Sequence, residues 1–505
     1  MIINRTSKER NNILFVVFLA LISVSSFSVI GGSSTQCDIA FLNEEILSSP
    51  TVDGVTISMV PSETMDMVVE YGRPGLVSAE KTESIRVRPN ALGVVSLDNL
   101  QSDTSYEYRV WCKKPYQTRF QPRDVHDFTT LHEAEDTFSF AYVTDTHAYA
   151  TWTAGPSCNP VPQVNKAYYK MAQTRDNILT HDVDFVVLGG DWAMLSCGGS
   201  CSYCPVNGQS PGMMSITSQS EADLRYQKTL DEEVLGPLFQ EIPFVYVLGD
   251  HEGEGGYQED TNVFATNARK KHLPNPYAVY GGEKDGRYYS FKTGPVQIII
   301  IDVMAQTGAD GNLPVTADDW TLGPAQLRWL EGTLKASDAQ WKLIFAEHLV
   351  GGEKGPTTPT LWKGRGSIKA TLDDTPSSAY KGEQAVVHEL MKQYGAQIFF
   401  SGNDHVATIG EKLDENGLGE NIWHILGGRA GGKNPWTANE TYVDEMDFDG
   451  DGVAEYNTDV TGTQKEGFFK ITVNGGESLL LEYIRTNINN PGINNVVLFN
   501  HTIVP

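Results

Sequence analysis

Five short clusters in this sequence carry side chains that bind metal ions: Asp145-Thr-His147, Gly190-Asp191, Gly249-Asp250-His251-Glu252, His348 and Gly402-Asn403-Asp404-His405. Carboxylate oxygens and imidazole nitrogens together hold Mn, Fe or Zn, and a shared carboxylate can bridge two such ions about 3.5–4 Å apart. Taken singly, an Asp after an apolar run is usually a helix cap or turn former, and a lone His is usually a satisfied core residue. Here the pattern repeats in order. Phe-Ala-Tyr-Val-Thr leads into Asp145, Phe-Val-Val-Leu-Gly-Gly into Asp191, and Phe-Val-Tyr-Val-Leu-Gly into Asp250. Leu-Ile-Phe-Ala-Glu leads into His348, and Ile-Phe-Phe-Ser-Gly into Asn403. Such repetition points to one metal centre, and the glycines before Asp191, Asp250 and Asn403 let backbone pack closely around it.

The apolar runs read as strands at 138–143, 185–188, 244–248, 296–301, 343–345, 398–400 and 422–425. Amphipathic helical patterns separate them at 165–180, 221–239, 324–335 and 384–394, the texture of an α/β domain. In open α/β sheets the carboxyl ends of the strands line the ligand crevice, so the five clusters should converge. A closing hairpin is expected at 468–473 and 479–484 around Asn474-Gly475-Gly476. Residues 39–130 read differently, as short alternating strands between turn residues. Leu100 and Tyr106 flanking Asp103-Thr104 suggest the tyrosine corner of a fibronectin type III-like sandwich. The expected organisation is a signal peptide or N-terminal anchor at 1–36, the sandwich at 37–132, the α/β domain at 136–485 and a C-terminal extension at 486–505.

The chain has 505 residues and a formal net charge of −26. That field excludes nucleic acid and anionic membrane as partners, and it would repel a phosphate substrate unless bound cations drew it in. Arg5, Lys8 and Arg10 precede an apolar run at 13–30, the pattern of a secretory signal. The run is long enough to serve instead as a membrane anchor, the only membrane association expected. A secreted or extracytoplasmic protein follows. Cys37 and Cys112 bracket the sandwich and could close it, while Cys158, Cys197, Cys201 and Cys204 lie together. For these four, two disulfides stapling long loops fit an oxidising compartment better than zinc does. Asn439 and Asn500 begin glycosylation sequons.

The ordered clusters resemble the motifs of the calcineurin-like metallophosphoesterases: D-x-H, G-D, G-N-H-[ED], a lone His, and G-H-x-H. The resemblance spans roughly 138–485, and the preceding sandwich is similar to that of purple acid phosphatases and alkaline phosphatase D. It implies an α/β fold, a four-layer α/β/β/α sandwich. It also implies hydrolysis of small phosphate mono- or diesters at two divalent or trivalent cations, by a hydroxide that they activate. Asp145, His147, Asp191 and His405 would hold the first cation (Fe, Mn or Zn). Asp191, Asp250 and His348 would hold the second, with Asn403 adding an amide oxygen. His251 would steady the transition state and protonate the leaving oxygen, with Asp145 or Glu252 orienting it.

Three departures stand out. Asp250 replaces the family's Asn and Asn403 replaces the first His of G-H-x-H, which makes the second site harder and favours Mn, Mg, Ca or Fe over Zn. Met194 stands where purple acid phosphatases carry a Tyr, so no phenolate colour is expected. Separately, Asp447-x-Asp449-x-Asp451-Gly452 begins a calcium loop in which Glu455 could supply a further carboxylate. The other reading is an acidic surface turn. Lys354, Lys363, Arg365 and Lys369 form a local basic cluster, and His424 ends a strand as a candidate pocket residue. The altered second site also leaves a rival reading: an extracellular metal-binding or adhesion protein on a phosphoesterase scaffold.

Overall fold

The computed structural model describes residues 37–505 apart from 76, 134–135, 148–162, 197–214, 256–258, 306–320, 349–381, 404, 414–418, 431–455 and 464. The signal peptide or anchor expected at 1–36, Cys158, Cys197, Cys201, Cys204, the basic cluster and the acidic 447–455 segment lie outside the described residues. Among those described, no helix is long and apolar enough to cross a membrane.

Hydrophobic alternation sets the architecture. In strand Thr137–Val143, Phe138, Phe140 and Tyr142 point one way and Ala141 and Val143 the other, as the two-residue period of a strand requires. The first set meets residues of a second sheet, Leu343, Phe345, Ile398 and Phe400, in a shared core where Phe345 stacks on Phe400 at 4.5 Å. The second set packs beneath helices, against Met171, Ile178 and Tyr226. The second sheet repeats the arrangement outward: Ile344 and Phe399 pack against Leu327, Leu330, Val387 and Met391 of two more helices. The protein therefore has a mixed α/β fold in which each central strand is buried on both faces.

The first sheet has nine strands among the described residues. In order they are Val497–Ile503, Ser478–Arg485, Gly467–Asn474, Thr137–Val143, Phe185–Leu188, Phe244–Tyr246, Phe41–Thr51, Gly54–Pro61 and Gly93–Leu97. The second has seven: Tyr289–Thr293, Val296–Ile300, Trp341–Phe345, Ile398–Ser401, Gly419–Gly427, Ala407–Leu413 and Tyr456–Thr463. The central strands of both run parallel, so their carboxyl ends lie on one side. The single helix expected at 221–239 is two, Gln219–Thr229 and Gly236–Glu241. Pro237 lacks an N–H and starts the second helix rather than continuing the first.

The N-terminal strands are joined to this sheet. Phe41–Thr51 pairs in parallel with Phe244–Tyr246 through Ser48 and Phe244, and then antiparallel with Gly54–Pro61. A five-stranded sheet, including Met65–Arg73 and Ser105–Lys113, covers the far side. Between them lie Leu47, Ile57, Met67, Val69, Val95, Tyr108, Val110 and Phe128. Cys37 and Cys112 form a disulfide, and the Tyr106 hydroxyl accepts the Gln101 N–H at 2.9 Å, the tyrosine-corner bond. Polar contacts lock the seam: Tyr108 Oη donates to Gln240 O at 2.8 Å, and Tyr280 Oη to Pro50 O at 2.7 Å. Buried His132 lies 3.4 Å from Asp103 and 3.5 Å from Asp184. Burial opposes its charge, but Asp184, Asp103 and Asp136 outweigh that and hold the imidazole above its usual value.

Candidate metal centre

The loops that follow the parallel strands carry the centre. Asp145 N–H donates to Gly190 O at 3.2 Å and His147 N–H to Asp191 O at 3.0 Å, so the first two loops continue the pairing of their strands. Asp145, His147, Asp191, Asn403 and His405 all have φ between 43° and 64°. L-residues adopt this left-handed region at a cost of roughly 1–2 kcal/mol each, and they hold it where the surroundings enforce it. Because 145 and 147 are both left-handed, the strand end turns and both side chains can face one point.

There, Asp145 Oδ1 lies 3.3 Å from His147 Nε2 and 3.1 Å from His405 Nε2, and the two nitrogens are 2.8 Å apart. The Met194 sulfur lies 2.8 Å from His147 Nδ1. The thioether is a weak acceptor, so it places the proton on Nδ1 and leaves the Nε2 lone pair for a metal. Asp191 Oδ2 sits 3.8 Å from His147 Nε2 and 3.6 Å from His251 Nε2, between the two halves of the site. On the far half, His348 Nε2 is 3.5 Å from Asp250 Oδ1. Asn403 contributes a backbone N–H to Asp145 Oδ2 at 2.9 Å. Asp145, His147 and His405 thus meet at one point and Asp250 meets His348 beside His251, while Asn403 reaches the site through its backbone N–H.

His251 is set apart from the other imidazoles. Its side chain is 14% exposed, against 1% for His147 and 0% for His348. Its Nδ1 donates to Ser196 O at 2.7 Å, which leaves Nε2 toward Asp191 and, at 3.9 Å, Asp250 Oδ2. The Ser196 carbonyl therefore fixes the ring, the role expected of Asp145 or Glu252.

Glu252 does something else. Its Oε2 accepts from Gly249 N at 2.7 Å and Asp191 N at 2.8 Å, and its Oε1 from Trp192 N at 2.8 Å and Ala193 N at 2.9 Å. The side chain ties the loop after one strand to the loop after the next. Burial outweighs those four donors and raises the carboxyl to about 7. Glu252→Gln puts an NH2 against two N–H donors and should destabilise the fold by about 2–5 kcal/mol, read as a lowered denaturant midpoint at unchanged slope.

Sequence reasoning missed Glu347. It is fully buried, and a carboxylate oxygen of it lies within 4.8 Å of ligand oxygens of Asp145 and Asp191. Strand parity could have found it: Leu343 and Phe345 face between the sheets, so 347 continues inward. His424, by contrast, stacks at 5.6 Å on Phe399, which belongs to the outer core of the second sheet.

The electrostatics call for cations. Asp145, Asp191, Asp250, Glu252 and Glu347 are all at most 2% exposed. Burial raises Asp191 and Glu347 well above the carboxylate range, with neighbouring carboxylates adding to it. Burial likewise opposes charge on Asp145 and Asp250, but adjacent imidazoles lower both. Asp250 Oδ1, Glu347 Oε1 and His405 Nδ1 are buried without a hydrogen-bond partner among the described residues. A mixed set of bare carboxylate oxygens and imidazole nitrogens fits Mn, Fe or Zn in chemistry and in charge.

A sequence profile of the PhoD-like phosphatases matches residues 152–477. No curated protein sequence matches the chain. Among solved structures, PhoD is similar with a TM-score of 0.64 at 14% identity, covering 91% of this chain and 89% of that one. Purple acid phosphatase PPD1 from yellow lupin (Lupinus luteus) seeds gives a TM-score of 0.56 at 14% identity, covering 91% and 74%. Fold and family together define the class: a calcineurin-like metallophosphoesterase, a metal-dependent phosphoric ester hydrolase. Within that class, the chain belongs to the PhoD-like phosphatase family.

Proposed function

We propose that this protein is an exported hydrolase of small phosphate mono- or diesters, working at a two-cation centre. Its scaffold is read as a four-layer α/β/β/α sandwich preceded by a fibronectin type III-like domain. Asp145, His147, Asp191 and His405 hold the first cation, Fe, Mn or Zn. Asp191, Asp250 and His348, with Asn403, hold the second, for which Mn, Mg, Ca or Fe suits the oxygen-rich donors. The observation that carries this reading is the convergence of Asp145 Oδ1, His147 Nε2 and His405 Nε2 within 3.3 Å of one another. The Cys37–Cys112 disulfide supports an oxidising compartment, and with it export.

When bound, the cations supply Lewis acidity toward the phosphoryl oxygens and lower the pKa of water. They also reverse the local sign of an acidic protein, so that an anionic ester can enter. Asp191, reaching both halves, holds the donors in one frame. The left-handed backbone at 145, 147, 191, 403 and 405 presets the ligands, which removes reorganisation from the reaction. His251, the exposed imidazole, gives a proton from Nε2 to the departing oxygen while Ser196 O holds Nδ1.

The test is chelation followed by reconstitution with single metals, assayed on p-nitrophenyl phosphate and its bis-ester. Activity should vanish with the metal and return with Mn or Fe. A folded, metal-loaded protein inactive on both esters and on nucleotides would sink the reading.

A further inference from the structure

Glu347 brings a fully buried carboxyl group to the floor of the metal centre. Its Oε2 has one marginal donor, Thr144 Oγ1 at 3.5 Å, and its Oε1 has no hydrogen-bond partner among the described residues. The Asn403 N–H also acts on this carboxyl, but it serves Asp145 Oδ2 at 2.9 Å. The slot is nevertheless built for it. A Cβ at Gly190 would collide with Oε2, and one at Gly402 would come within 2.8 Å of it and 2.7 Å of Asp145 Oδ2. Two strand-end glycines therefore keep open the space that this carboxylate fills.

Three buried carboxylates within 4.8 Å of one another need a proton or a metal ion among them. A proton alone still leaves Oε1 without a hydrogen-bond partner among the described residues. Next to these carboxylates, the second half of the centre has the imidazole of His348 but, since residue 403 is Asn, not the second one of the family motif. We propose that Glu347 is a further ligand of the metal centre, supplying beside Asp145 and Asp191 the anionic oxygen that commits it to a hard cation such as Ca2+, Mn2+ or Fe3+. This inference rests on the two-cation reading above. It deepens that reading by naming the residue that sets metal preference.

The experiment compares the purified wild-type protein with Glu347→Gln, loaded with Ca2+ or Mn2+. Bound metal is counted by elemental analysis, affinity is taken from chelator competition, and thermal midpoints are read with metal and with chelator. Glu347→Gln should lose one equivalent of metal or bind it about 10- to 100-fold more weakly. Its midpoint in chelator should equal or exceed the wild type's, because a neutral amide needs no cation beside the other buried carboxyls, while its gain on adding metal should shrink. Wild-type stoichiometry and affinity in Glu347→Gln overturn the proposal and leave Glu347 as a protonated packing residue. If Glu347→Gln does not fold, Glu347→Asp, which keeps the charge but withdraws it by one methylene, must weaken the cation affinity; unchanged affinity overturns the proposal equally. A wild-type protein that binds no cation removes the two-cation reading as well, whereas loaded wild type with unaltered variants removes only the role of Glu347.

Discussion

Asp191→Asn should lower kcat by about 10^3-fold or more on every ester, the loss of several kcal/mol of charge stabilisation. The reason is position. Asp191 Oδ2 is the carboxylate oxygen within 4 Å of imidazoles from both halves, His147 at 3.8 Å and His251 at 3.6 Å. An amide oxygen in its place keeps one acceptor for the His251 N–H, now bonded to Oδ1 at 3.1 Å, so the loop stays folded. It gives up the charge that two cations would share. Turnover measured alongside bound metal should show both falling together at an unchanged circular dichroism spectrum. A variant within tenfold of wild type, with full metal content, rules Asp191 out as the shared ligand.

His251→Ala should behave differently. A positioned proton donor contributes roughly 10^2- to 10^4-fold, and it matters most when the departing oxygen is basic. Alkyl phosphates should therefore lose that factor, while p-nitrophenyl phosphate, whose phenolate leaves without help, should lose far less. Metal content should hold, because the imidazole is the most exposed of the cluster and its Nδ1 is committed to Ser196 O at 2.7 Å. Equal losses on both substrates, or a loss of metal, remove the proton-donor assignment.

The strand-end clusters were legible because long apolar runs mark strands and the polar residues that end them stand out. What the sequence hides is backbone. The left-handed turns at Asp145 and His147, which bring alternate residues to one point, leave only a faint trace in residue type, since Asp and His adopt that region more readily than most residues but do not require it. Glu347 stands inconspicuously before His348, although the two-residue period of its strand, carried past Phe345, aims it inward. Glu252, one of the two residues expected to orient His251, serves the backbone instead. Its spacing from Gly249 is that of a capping box, and four backbone N–H groups claim it. Ser196 had no signal, because its carbonyl acts and its side chain does not. Pairing of Phe41–Thr51 with Phe244–Tyr246 was equally hidden, as nothing local specifies a partner about 200 residues away.

That pairing has a consequence for the order of events as the chain is made. At about 5–20 residues per second, roughly 10–40 s pass between emergence of the first of these strands and its partner. Through that interval the edge of Phe41–Thr51 stands open, a template for pairing with a neighbouring chain. Cys37 and Cys112 are both available long before Phe244 arrives, so their bond can close the early strands into a finished sandwich while the edge waits. The disulfide thus belongs to assembly as much as to the mature protein. It keeps the first-made part in a shape ready to receive a strand made much later.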